Sequence, residues 1–147
     1  MKKRKRKFHK LLLKEIGLAK DIKKISGKNL PILRRESEEM YFTVEDRLRI
    51  VKEFDVNTLV RITVLYEIEI SGDWLMIKMY DNTHNIKILH RHTRTSIKNA
   101  IPIIDTEGVK QRGDVWTWLD WARRDIIKKF WYMRRAFEKE AWLLTSD

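Results

Sequence analysis

The chain reads as an α+β protein: an antiparallel β-meander of three to four strands packed by a long C-terminal helix, with a basic helix at the N-terminus. Three observations predict it. Apolar residues alternate with period two through the centre of the chain. They recur with the helical period in its last third. Lysine and arginine crowd the first thirty residues, which separates a cationic arm (residues 1–30) from a single α+β domain (residues 31–147).

The elements follow in order. Phe8, Leu11, Leu12, Ile16, Leu18, Ile22 and Ile25 recur at roughly helical spacing, and Gly27 is a stop signal, so residues 7–26 are expected to form a basic amphipathic helix. Asn29 to Arg35 reads as a connector around Pro31, and the acidic stretch Glu36 to Asp46 as a short helix or turn. From Arg47 to Phe54 apolar positions alternate. From Thr58 to Ile70 the alternation is cleaner, with Val60, Ile62, Val64, Tyr66, Ile68 and Ile70 on one face. Arg61, Thr63, Glu67 and Glu69 share the other face with Leu59 and Leu65, where the two glutamates are expected to meet solvent. Ser71-Gly72-Asp73 is a hairpin signal. Trp74 to Tyr80 is then the returning strand, and Ile86 to His92 a further one. Residues 93–113, with Pro102, Gly108 and Gly113, read mostly as loop. Asp114 can cap the final helix. Along that helix Val115, Leu119, Ala122, Ile126, Phe130, Met133 and Phe137 form an unbroken apolar stripe, fit to lie across the sheet and close the core.

Composition bounds the function. The absence of cysteine excludes disulfides, thiolate metal sites and cysteine nucleophiles. No apolar run approaches the roughly 18 residues of a membrane span, and Leu11 to Leu13 is too short for a secretory core, so a cytoplasmic protein without membrane partners is expected. The net charge is +11 but uneven. Residues 1–30 hold twelve basic and two acidic residues, and the remainder twenty and nineteen. A nearly neutral body with a cationic arm, led by Lys3, Arg4, Lys5 and Arg6, suits phosphate binding through release of condensed counterions. On the C-terminal helix Arg124, Lys128, Trp131 and Arg135 make a basic stripe with an aromatic in it, widened by Arg123 and Arg134, on which bases could stack. A solvated helix face carrying pairs such as Asp120–Arg124 is the plainer reading of that stripe.

Three of the four histidines, His84, His90 and His92, fall within nine residues, just after Asp81. On a strand, His90 and His92 point to one face and Arg91 to the other. Two chemistries suit the cluster. In the first, one imidazole removes a proton from an RNA 2′-hydroxyl and another protonates the leaving 5′-oxygen. Asp81 then orients one ring, and Lys87, Arg91 or Arg94 offsets the negative charge of the transition state. That reaction needs no cofactor. In the second, Asp81, His84, His90 and His92 hold a divalent metal ion. Turn capping and packing on aromatic rings are the structural alternative.

Tyr80-Asp81-Asn82-Thr83-His84 followed by His90-Arg91-His92 resembles the signature of TumE-type toxins of prokaryotic toxin–antitoxin modules. The likeness covers roughly residues 45–135, and the basic arm lies outside it. It implies an RNA-cleaving toxin partnered by a helix-turn-helix antitoxin. It also adds Tyr80 to Asp81, His84, His90, Arg91 and His92 as matching positions. The leading expectation is therefore a metal-independent endoribonuclease acting on RNA. A non-enzymatic DNA- or RNA-binding protein, such as a small archaeal or viral factor, and a divalent-metal nuclease are the alternatives. A homodimer is also among the expected assemblies.

Overall fold

The structure is a computed structural model, and it describes residues 33–95 and 101–145. The expected N-terminal helix and the basic arm with Lys3, Arg4, Lys5 and Arg6 lie outside the described residues. Six strands and one helix follow one another as β1 (Leu33–Thr43), β2 (Asp46–Asp55), β3 (Thr58–Ile70), β4 (Asp73–Asp81), β5 (His90–Thr93), β6 (Ile103–Asp105) and α1 (Val115–Thr145). The strands form one antiparallel sheet in sequence order, so every neighbour is a hairpin partner. The meander and its covering helix match the expected fold class, with more strands than expected.

Short turns make this topology possible. Ser71 and Gly72 both take positive φ, 52° and 82°, which is the backbone of a type I′ hairpin whose twist matches that of the flanking strands. Val56 also sits at φ 53°, in the turn between β2 and β3, where a β-branched residue is strained. A register shift between Glu53 and Phe54 brings Leu59 opposite Phe54 and turns Leu59 into the core, away from the face that strict alternation assigns it.

Two expectations are corrected. Residues 36–43 are not helical but belong to β1, an edge strand held by an unbroken ladder to β2 from Leu33 to Tyr41, and the expected turn is confined to Val44 and Glu45. Residues 34–41 are exposed, so no hydrophobic alternation marks them. The fifth strand is shorter than expected, because Ile86 to Leu89 are loop and pairing with β4 begins at His90. Within the segment read as loop, Ile103–Asp105 adds a short sixth strand.

The core lies between α1 and one face of β2–β4. Leu119, Ala122, Ile126 and Phe137 of the helix are buried with Leu48, Ile50, Ile62, Val64, Tyr66, Ile68 and Tyr80 of the sheet. Val115, Phe130 and Met133 are partly buried against them, so the whole expected stripe faces the sheet. Asp114 caps the helix by accepting a hydrogen bond from the Thr117 amide at 2.9 Å. Two polar contacts pin the helix down on this face. Asp46, fully buried, accepts from the Tyr66 hydroxyl at 2.5 Å and from Arg134 at 2.7 Å. Asp125 accepts from the Tyr80 hydroxyl.

The other face is built differently. Glu67 is only 5% exposed and pairs with Arg47 at 3.1 Å and Arg49 at 3.0 Å, while Arg47 lies over the Trp74 ring at 4.1 Å. The expected solvent-facing glutamate is thus an ion-paired, buried one.

Candidate functional site

The histidine cluster sits where β4 ends and β5 begins. Asp81 pairs with His90 and Met79 with His92 across the two strands, so alternation carries Asp81, His90 and His92 to the face away from α1. Between the strands, residues 82–89 loop out and return under two side chains that replace strand backbone. Asn82, fully buried, accepts from the Ile62 amide at 2.8 Å and donates to the carbonyls of Val60 at 2.9 Å and Ile86 at 3.2 Å. Gln111 accepts from the Leu89 amide at 3.1 Å and donates to the Leu89 carbonyl at 2.8 Å. Both ends of the loop are therefore fixed, and His84 is held on its exposed crest.

Within the cluster, His92 Nε2 lies 2.7 Å from Asp81 Oδ1, and both side chains are buried. The Thr83 hydroxyl donates to the other carboxylate oxygen. Burial pushes the Asp81 carboxyl up, but the hydrogen bonds from His92 and Thr83 and the nearby imidazoles outweigh it and hold the group below its ordinary value. An ionised Asp81 is an acceptor at His92 Nε2 and so favours a proton on that nitrogen. The exposed His84 ring lies 5.8 Å from that of His92 and 6.3 Å from that of His90. One donor atom from each of Asp81, His84 and His92 falls within 4.8 Å of the others. His90 Nδ1 is buried without a hydrogen-bond partner.

The remaining sequence-selected residues separate from this cluster. Tyr80 points to the helix face, where burial and its bond to Asp125 raise the phenol well above its ordinary range and keep it protonated. Arg91 pairs across the strands with Tyr80, on the side away from the imidazoles, and is held by Asp105 at 2.5 Å and the Glu107 carbonyl at 2.9 Å. Arg94 donates from Nε to the Met76 carbonyl at 2.9 Å. Lys87 is exposed on the same loop as His84. Of the helical stripe, Arg124 is exposed and pairs with Asp120 at 3.2 Å, as the plainer reading holds. Lys128, Trp131 and Arg135 are exposed and line a shallow surface groove with Tyr132. Arg134 leaves the stripe and turns to Asp46, Glu45 and Glu138.

Thr83 carries no assigned role in the sequence pattern, Asn82 enters only within the Tyr80–His84 signature, and Tyr132 is unmarked. The spacing Asp81-x-Thr83 is a local signal that could have marked the first, since a hydroxyl two residues on readily reaches a carboxylate in a turn. No helix of the described residues is long and apolar enough to cross a membrane.

No family model, no curated protein and no solved structure matches the chain.

Proposed function

We propose that the chain cleaves phosphodiester bonds of nucleic acid, RNA first among them, at the cluster of Asp81, His84, His90 and His92. The observation that carries the reading is the approach of three imidazoles, with His84 5.8 and 6.3 Å from the other two rings, beside a buried carboxylate that orients one of them. Imidazole titrates near neutrality, so one ring can accept the 2′-hydroxyl proton while another delivers one to the leaving oxygen. His84, exposed on the loop crest, is the ring a substrate meets first. Lys87 on the same loop is the cation at hand for phosphate, because Arg91 is engaged on the opposite face.

A second reading, binding without cleavage, is favoured by one observation. Trp131 and Tyr132 stand exposed between Lys128 and Arg135 on α1, a surface on which bases can stack while cations hold phosphates. In the first reading this surface serves as the docking site for the same nucleic acid. The resemblance of the 80–92 segment to TumE-type toxins adds RNA as the substrate and a helix-turn-helix antitoxin as a partner.

Purified full-length protein incubated with labelled RNA and DNA tests the proposal. Cleavage lost in His84→Ala, with the fold retained, is the expected result. RNA bound and left intact by the wild-type protein, in EDTA and with added Zn²⁺ or Mn²⁺ alike, would overturn it in favour of the binding reading.

A further inference from the structure

We infer that Asp81, His84 and His92 form a binding site for a divalent transition-metal ion of the zinc class, with His90 beside it. The inference deepens the reading of the same cluster, but the binding itself can be measured without any cleavage.

The argument starts from the donors. A carboxylate oxygen and two imidazole nitrogens lie within 4.8 Å of one another. Zinc bonds of about 2.0–2.1 Å to such atoms place tetrahedral ligands about 3.4 Å apart. The Asp81–His92 separation of 2.7 Å would open slightly, and rotation of the exposed His84 side chain would close the longest gap. The proton on His92 Nε2 need not leave the protein: metal takes the Nε2 lone pair and the proton moves to Nδ1, the other neutral tautomer.

The contacts around the donors are compatible with a bound metal. Thr83 donates to the carboxylate oxygen that His92 does not use, and that bond can persist as an orienting contact when Asp81 coordinates. Asn82 and Gln111 pin the loop that carries His84, so the three donors are pre-arranged. The buried Nδ1 of His90 lacks a partner, and a buried imidazole nitrogen left alone is costly unless something else meets it.

The donor set also names the class of ion. Two imidazoles and one carboxylate suit Zn²⁺, Co²⁺ or Ni²⁺, whereas Ca²⁺ and Mg²⁺ prefer all-oxygen shells. Three protein ligands leave a fourth position on the side where His84 meets solvent, the arrangement of catalytic zinc sites as opposed to closed structural ones. Such an ion would supply the positive charge at the cluster that Arg91, paired with Asp105, does not; with His84 and His92 holding it, an ion-bound water would serve as the base and His90 would be left as the unligated imidazole.

The test uses full-length protein stripped with EDTA and then titrated with Zn²⁺ by calorimetry and with Co²⁺ by visible absorption. One ion per chain is expected, with the intense Co²⁺ bands of a tetrahedral site. His84→Ala should abolish the bands. That residue is exposed, so the variant folds. Thr83→Val, which keeps every ligand, should weaken binding by about tenfold. Absence of a saturable site, or binding undiminished in both variants, overturns the inference. The two readings fail separately: RNA cleavage by metal-free protein with no Co²⁺ signal sinks the metal and spares the nuclease, whereas tight Co²⁺ binding without cleavage does the reverse.

Discussion

The two faces of the sheet are built by opposite means. On the helix face, apolar side chains of β2, β3 and β4 are sealed by α1, and Asp46 and Tyr80 fasten the helix through Arg134 and Asp125. On the other face, charged and titratable groups are brought together at close range: Glu67 with Arg47 and Arg49, and Asp81 with His92 and His84. Stability is concentrated on the first face and the proposed chemistry on the second. The same hairpin, β4–β5, contributes to both, because neighbouring residues on a strand point opposite ways. Tyr80 fastens the helix, and Asp81, one residue on, orients an imidazole.

That comparison can be broken by substitution, and the largest effect is expected on the helix face. Asp46→Ala removes the shared acceptor of Tyr66 and Arg134; Arg134 keeps Glu45 and Glu138, but the buried Tyr66 hydroxyl loses its acceptor. It should cost about 3 kcal/mol or more in urea unfolding, the combined scale of an unsatisfied buried hydroxyl and a lost bond to a charged group. A loss below 1 kcal/mol would mean that the two faces share the stabilising work more evenly than described.

His92→Ala should cost less, about 1–3 kcal/mol, because Asp81 keeps its bond from Thr83 when the imidazole is gone. Cleavage should fall much further than stability in this variant, and equal effects on both would undo the division between the faces.

Val56→Gly should raise stability by about 1 kcal/mol, since glycine adopts the positive φ of this exposed turn position without steric cost. Thermal unfolding reads the change, and a lower melting temperature would contradict the turn geometry.

Acid sharpens the comparison from the other side. The Asp81 carboxyl is held below its ordinary value of 3.8, so the folded state binds its proton less readily than the unfolded chain does. Its contribution is complete above that ordinary value and is lost as pH falls through it toward the lower folded-state value. Unfolding midpoints measured from neutrality down to about pH 3 should therefore drop more steeply in the wild type than in Asp81→Asn. Parallel curves would show that the His92 and Thr83 bonds do not depress this group.

His84→Ala should have the smallest effect on stability, within about 0.5 kcal/mol, because its side chain is exposed. It should nevertheless abolish cleavage, and a destabilised variant would mean that His84 holds the loop together.

Much of this architecture was legible in the chain itself. The stripe from Val115 to Phe137 marked both the helix and the face it buries. Alternation from Thr58 to Ile70 marked β3 at the bounds it takes, and Ser71-Gly72 marked the hairpin after it. These signals survive because each element buries one side, and burial writes its period into the sequence. The histidines were legible as a cluster by spacing alone.

Other features were decided only by tertiary contact. β1 carries no apolar period because residues 34–41 are exposed, and its pairing to β2 is a backbone interaction that side-chain pattern does not encode. Glu67 became a buried ion-pair partner because Arg47 and Arg49 stand opposite it on β2, eighteen to twenty residues away in sequence. Proximity in sequence points Arg91 at the phosphate, yet Asp105 and Glu107 claim it from a later segment. Local periodicity determines which residues face a core. Which partner a polar group finds depends on register and on side chains distant in the chain, such as Asn82 and Gln111, that stand in for missing strand backbone.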